Sequence, residues 1–290
     1  MGDALVEAIT EPELDLGESP VWDDRIGRLY WVDINAGDLM WLDWGTGAVK
    51  RRHAGSPLAS VRLAIDGRLV LGRGGKLYTT AEPRRRLQFV AQIDHERSRR
   101  LNDSACDAAG RLWTGTMRRD ATGFDGALYR LERFGDTYAL HRSIEGIGIS
   151  NGIGWNKDDT VMYFIDTPTK RVDAIDFDLG SGKLGRRRPL IDMSPARPDG
   201  MALDGDGYLW VAVPSHGEVR RYSPAGRLDG VVTFPGRRVT SCCFGGPQLD
   251  ELYVTSARDE AAGPRGTPGG GAVYRCRPGV RGLTTNRFRL

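Results

Sequence analysis

The sequence predicts an all-β protein, a six-bladed β-propeller with four antiparallel strands per blade. Three observations carry this. One phrase recurs six times: an apolar or small stretch, an Asp/Gly turn, then a strand rich in Leu, Tyr and Trp. Its aligned position falls on Leu29, Leu69, Leu112, Met162, Leu209 and Leu252, at spacings of 40, 43, 50, 47 and 43 residues. Periods of roughly 40–50 residues built from short strands mark propeller blades. Finally, no sustained helical period is visible anywhere.

In chain order the phrases are VWDDRIGRLYWVDI from Val21, LAIDGRLVLG from Leu63, CDAAGRLWTGTM from Cys106, WNKDDTVMYFIDT from Trp155, LDGDGYLWVAV from Leu203 and GGPQLDELYVTSA from Gly245. Each is followed by a turn and two more strands, for example GDLMWLDW and AVKRR in the first unit. The sixth unit, GAVYRCRPGVRGLTTNRF, reads the same way. The N-terminal LVEAI, ahead of Pro12, reads as an extra strand that pairs with the last blade and closes the ring, since an unpaired edge invites association. A continuous repeat overrides the length prior, so residues 1–290 are expected to form one domain.

Composition narrows the function classes. The net charge is +3, and 36 of the 41 basic residues are Arg, spread in pairs over every blade. Pairs in outer strands read as solvated edges, and with no single basic stripe a nucleic-acid surface is not expected. No apolar run approaches the ~20 residues of a membrane span. The start MGDALVEAITEPELD lacks the basic and apolar regions of a signal peptide, so a cytoplasmic location is the expectation. Cys106, Cys242, Cys243 and Cys276 are expected to be free, packed thiols, without zinc spacing. A closed propeller has no need of a partner, so a monomer is expected.

The repeat then separates scaffold from site. Ten or eleven residues before the aligned position, each innermost strand begins at one face of the channel. There stand Glu18, Asn102, Asn151 and Asp199 in blades 1, 3, 4 and 5, against Leu58 or Ala59 in blade 2 and Ser241 or Cys242 in blade 6. Oxygen donors converging on an axis suit one hard divalent cation. Glu18 and Asp199 would balance its charge and Asn151 would add a neutral oxygen, leaving positions open as a catalytic site requires. An all-oxygen set does not choose among Ca²⁺, Mg²⁺, Mn²⁺, Zn²⁺ and Fe²⁺. No GxSxG elbow exists for a Ser-His-Asp hydrolase. Of the four histidines only His216 falls on a loop at the mouth face.

Five segments, GESPVW (Gly17–Trp22), RLNDSACDAAGRLWTGTM (Arg100–Met117), SNGIGW (Ser150–Trp155), RPDGMALD (Arg197–Asp204) and TSCCFGG (Thr240–Gly246), resemble in order those of the SMP-30/gluconolactonase (regucalcin-like) family. The resemblance runs from Gly17 to Gly271 and implies a six-bladed propeller acting as a metal-dependent sugar lactonase. It implies metal ligands at Glu18, Asn151 and Asp199, a general base at Asp199, and substrate contacts at Arg100, Asn102 and Asp120, the last one methylene shorter than the Glu of animal members. Asp103 reads as a turn or supporting residue. The expected chemistry is attack of water on a lactone carbonyl that the ion polarises, with Asp199 accepting the proton. Two other readings stand beside it: hydrolysis of phosphotriesters or other esters at the same site, and a non-enzymatic calcium-binding propeller. The Gly/Pro-rich loop 256–271 is expected to lie over the mouth.

Overall fold

Alternating apolar positions, broken every few residues by Gly or Asp turns, leave each segment able to form only short strands, and these pair in sequence. The computed structural model describes residues 5–259 and 269–290. β1 is Glu7–Ala8. Blade 1 holds β2 (Gly17–Asp23), β3 (Arg28–Asp33), β4 (Asp38–Asp43) and β5 (Ala48–His53). Blade 2 holds β6 (Leu58–Leu63), β7 (Leu69–Arg73), β8 (Lys76–Thr80) and β9 (Gln88–Gln92). Blade 3 holds β10 (Arg99–Cys106), β11 (Leu112–Arg118), β12 (Gly126–Phe134) and β13 (Thr137–Ile147). Blade 4 holds β14 (Ser150–Trp155), β15 (Val161–Asp166), β16 (Arg171–Asp178) and β17 (Lys183–Asp192). Blade 5 holds β18 (Met201–Leu203), β19 (Leu209–Val213), β20 (Glu218–Tyr222) and β21 (Leu228–Thr233), and blade 6 holds β22 (Val239–Gly245), β23 (Glu251–Ser256) and β24 (Val273–Cys276). β1 completes blade 6 through Glu7↔Arg275 and Ala8↔Tyr274, closing the ring as expected. Among the described residues no helix is long and apolar enough to cross a membrane.

The repeat phase holds in three dimensions. Each aligned residue lies on the second strand of its blade and pairs with the innermost strand, as in Trp22↔Leu29, Cys106↔Leu112 and Phe244↔Leu252. None of the six is more than 2% exposed. The core is not one mass but six wedges, each between consecutive blades. One joins Val32 and Trp41 of blade 1 to Leu58 and Leu71 of blade 2, and the last joins Tyr253 and Val273 of blade 6 to Trp22 and Trp31 of blade 1. Adjacent Cys242 and Cys243 face different wedges, and all four thiols are free and buried.

One expectation needs correction. The residues after Cys276 do not form another strand of blade 6. They cross the face opposite the site: Gly282 pairs with Asp204 of blade 5, Arg287 binds Asp23 at 2.8 Å in blade 1, and Phe288 pairs with Ala64 of blade 2. The NH of Arg289 then reaches the carbonyl of Gly110 in blade 3. Phe288 is fully buried in the wedge between blades 2 and 3 and stacks on Tyr138. Its burial rewards crossing the ring over extending an outer strand. This strap and the innermost strands line an open cavity of about 490 Å³ at the far end of the channel.

Candidate active site

The innermost strands are irregular where the site residues stand. Pairing with the second strand slips between Glu18 and Val21, Leu58 and Ser60, Leu101 and Ser104, Asn151 and Ile153, and Val239 and Ser241. In blade 5 the strand itself starts only at Met201, and Asp199 is held by its NH on the carbonyl of Ala212. A bulge re-aims side chains, so the same defect, at the same phase in blades 1 to 4, turns several residues toward the axis. Glycines after two of them allow close approach. The NH of Gly152 donates to Asp199 and that of Gly200 to Thr240, joining blades 4, 5 and 6 at the site. A Cβ on Gly200 would lie 2.8 Å from the Cα of Ser241.

These residues line one cavity of about 440 Å³. Glu18, Arg100, Asn102, Asn151 and Asp199 all face it, so five of the six sequence-assigned positions come together. Leu16, Ile34, Met117 and Ile149 form an apolar wall. Asp120 is not among the lining residues: its exposed carboxylate binds Arg118 at 3.0 Å and Thr122. His216 is exposed, bonded to Ser215, and also outside the lining. Most of loop 256–271 lies outside the described residues.

The hydrogen bonds fix the orientation of the donors. Thr167 gives its hydroxyl hydrogen to the carbonyl of Pro198, so it accepts the amide NH₂ of Asn151 at 2.8 Å. That assignment turns the Asn151 amide oxygen toward the NH₂ of Asn102, 2.9 Å away, with a lone pair to spare. Asn102 donates also to the carbonyl of Ser150 and accepts from Arg100. One oxygen of Glu18 accepts the NH of Ser19. Among the described residues the Asp199 carboxylate has no hydrogen-bond donor, and neither it nor Glu18 forms an ion pair within 4 Å.

The electrostatics follow. Burial, then the negative charges of Asp199 and Asp103, pushes Glu18 well above the usual carboxylate range, against the Ser19 NH and Arg100. Burial and Asp103 push Asp199 up to about 7, while Arg238, Arg100 and Arg197 pull it back. Burial lowers Arg100 to about 10, still a cation at neutral pH. Next to Asn102 on β10, Asp103 is paired with Arg62 of β6 at 2.9 Å, and Arg62 also binds the Ser19 hydroxyl. An Arg thus braces blades 1, 2 and 3 next to the site, and Asp103 serves as its counter-charge.

The residues present fit a hard divalent cation. Two carboxylates that burial penalises and one amide oxygen face a common space, with no nitrogen or sulfur donor among them. Among the described residues no three His, Cys, Asp or Glu side chains converge on a metal position, because the third donor here is an amide. Sequence reasoning missed Thr167, which anchors Asn151 from the turn after β15, and Arg197, Arg238 and Thr240, which also line the cavity. Arg pairs are so common in the chain that Arg237–Arg238 carried no distinguishing signal.

Comparison with known proteins supports the family and the fold. The SMP-30/gluconolactonase/LRE-like region matches residues 16–258. The chain is 32% identical over 300 residues to regucalcin of Xenopus laevis, covering 99% of both proteins. It is similar to the solved structure of a luciferin-regenerating enzyme, with a TM-score of 0.90 and 30% identity over 99% of this chain and 100% of that one. It is likewise similar to a calcium-binding protein, regucalcin, from Agrobacterium tumefaciens, with a TM-score of 0.91 and 26% identity over 98% and 97%.

Proposed function

The chain belongs to the SMP-30/gluconolactonase/LRE-like family, and on that premise we propose that it is a metal-dependent hydrolase that opens sugar lactones to aldonic acids. The observation that carries the reading is the cavity itself. Glu18 and Asp199 are held half-buried in it from blades 1 and 5, without an ion-pair partner among the described residues, beside the oriented amide oxygen of Asn151. Two such carboxylates are costly unless a cation joins them.

In this reading Glu18, Asn151 and Asp199 hold one divalent ion, which when bound supplies Lewis acidity to the lactone carbonyl. Asp199, ionised beside the ion, takes a proton from the attacking water. Water oxygen joins the carbonyl carbon, the ring C–O bond breaks, and the proton returns from Asp199 to the released ring oxygen. Arg100 offers its remaining N–H groups to substrate hydroxyls. Both amide hydrogens of Asn102 are committed, so it serves by holding Arg100 and Asn151 and by accepting one further bond. Leu16, Ile34, Met117 and Ile149 pack the apolar side of the ring. Asp120 would contact substrate only if its loop turned away from Arg118.

The test is hydrolysis of a panel of sugar lactones and phosphotriesters, followed by acid release, with metal-stripped protein, with each divalent ion restored, and with Asp199→Asn. Ion-dependent lactone turnover, reduced at least about a hundredfold in Asp199→Asn, is expected. Turnover of phosphotriesters alone would replace the substrate class. Ion binding without any turnover would favour a calcium-binding role, the property stated for the Agrobacterium relative.

A further inference from the structure

The cavity is more cationic than a neutral lactone requires, an observation that rests on the hydrolase reading only for where the ion sits. Its lining holds two carboxylates, Glu18 and Asp199, against three guanidiniums, Arg100, Arg197 and Arg238. A bound divalent cation leaves the lining three charges positive. The arginines elsewhere in the channel and wedges have counter-ions: Arg62 with Asp103 at 2.9 Å, Arg111 with Asp107 at 2.7 Å and Arg221 with Asp204 at 2.7 Å. Among the described residues, none of the three cavity arginines forms an ion pair. Arg238 donates to the carbonyl of Arg258, and Arg100 to the carbonyl of Leu101 and to Asn102.

Their placement divides the cavity. Arg100 stands on β10 of blade 3, while Arg197 lies four residues before β18 of blade 5 and Arg238 directly before β22 of the adjacent blade 6. In a six-membered ring, blades 3 and 6 face each other. We propose that the substrate is an anionic lactone, whose carboxylate or phosphate, remote from the scissile carbonyl, is held by Arg197 and Arg238 while Arg100 binds hydroxyls on the opposite wall. Guanidinium forks match both groups in two parallel hydrogen bonds. A cavity of about 440 Å³ lies in the range of small-molecule sites.

The experiment compares charged and neutral lactones on the full-length, ion-loaded protein. Glucono-1,5-lactone is set against its 6-phosphate, and galactono-1,4-lactone against galactaro-1,4-lactone, so the phosphate and carboxylate arms are separate. At least one charged member should show kcat/KM about tenfold or more above its neutral partner, chiefly through KM and shrinking as salt is raised. Arg197→Gln, an exposed position, and Arg197→Gln with Arg238→Gln should each drive that ratio toward one. Turnover of the neutral lactones with both ratios at or below one would overturn the anionic preference and leave the hydrolase reading intact. If no lactone is turned over, the hydrolase reading fails, and calorimetry with 6-phosphogluconate and gluconate decides the preference. Tighter binding of the phosphate, lost in the double variant, upholds it, and equal binding overturns it.

Discussion

Half-buried Glu18 and Asp199 differ from the chain's fully buried acids in what surrounds them. Asp107 accepts from the backbone of Ala109 and Arg111 and from the Trp113 ring at 2.9 Å, and Asp204 binds the Trp210 ring and Arg221 in the same way. Those acids hold turns, whereas Glu18 and Asp199 have no comparable set of donors. The repeat phase made this difference legible, because it separated acids at the channel mouth from acids at the strand turns. It could not reveal Thr167, which lies at another phase, or show that the loop of Asp120 sends that side chain to Arg118. The raised carboxylates also give a pH prediction. An acid whose folded pKa exceeds its unfolded value contributes stability below the unfolded value, roughly pH 4, and loses it as pH climbs through the folded value, about 7 for Asp199. The melting temperature of ion-free protein should therefore fall from pH 5 to pH 8 more than that of Glu18→Gln. At pH 8 the variant should melt about 2–4 °C higher, as for about 1 kcal/mol, while binding divalent ions at least about tenfold more weakly. Identical melting profiles of the two ion-free proteins would show that burial of Glu18 carries no such cost.

At the level of the strand, the hairpin phrase located all six second strands, but the bulges were not written in it. A bulge is a property of two paired strands, and Glu18–Val21 or Asn151–Ile153 show nothing unusual in one strand read alone. The glycines of SNGIGW and RPDGMALD are where the sequence does carry the geometry. The Cβ of Gly200→Ala would collide with the backbone of Ser241, forcing β18 away from β22 and breaking the bond from Gly200 to Thr240. A loss of about 1–3 kcal/mol in stability is expected from denaturant unfolding, with ion affinity weakened about tenfold through the adjacent Asp199. Unchanged ion affinity would mean that strand spacing does not set the position of Asp199.

For the whole ring, closure was legible because LVEAI is a strand with no partner in its own unit. The C-terminal strap was not, since its apolar residues read equally well as an outer strand until the buried place of Phe288 between blades 2 and 3 is seen. Phe288→Ala should cost about 3–5 kcal/mol in denaturant unfolding, and a loss under 1 kcal/mol would mean the strap does not help hold those blades together. The ring as a whole brings residues 18, 151 and 199, far apart in sequence, to one space at the end of its channel away from the strap. The most direct test of that claim is an anomalous-scattering map from crystals of the protein soaked in Mn²⁺. The account predicts one strong peak bonded to Glu18, Asn151 and Asp199, absent in Asp199→Ala. No peak among those three side chains, or an equal peak in the variant, would contradict it.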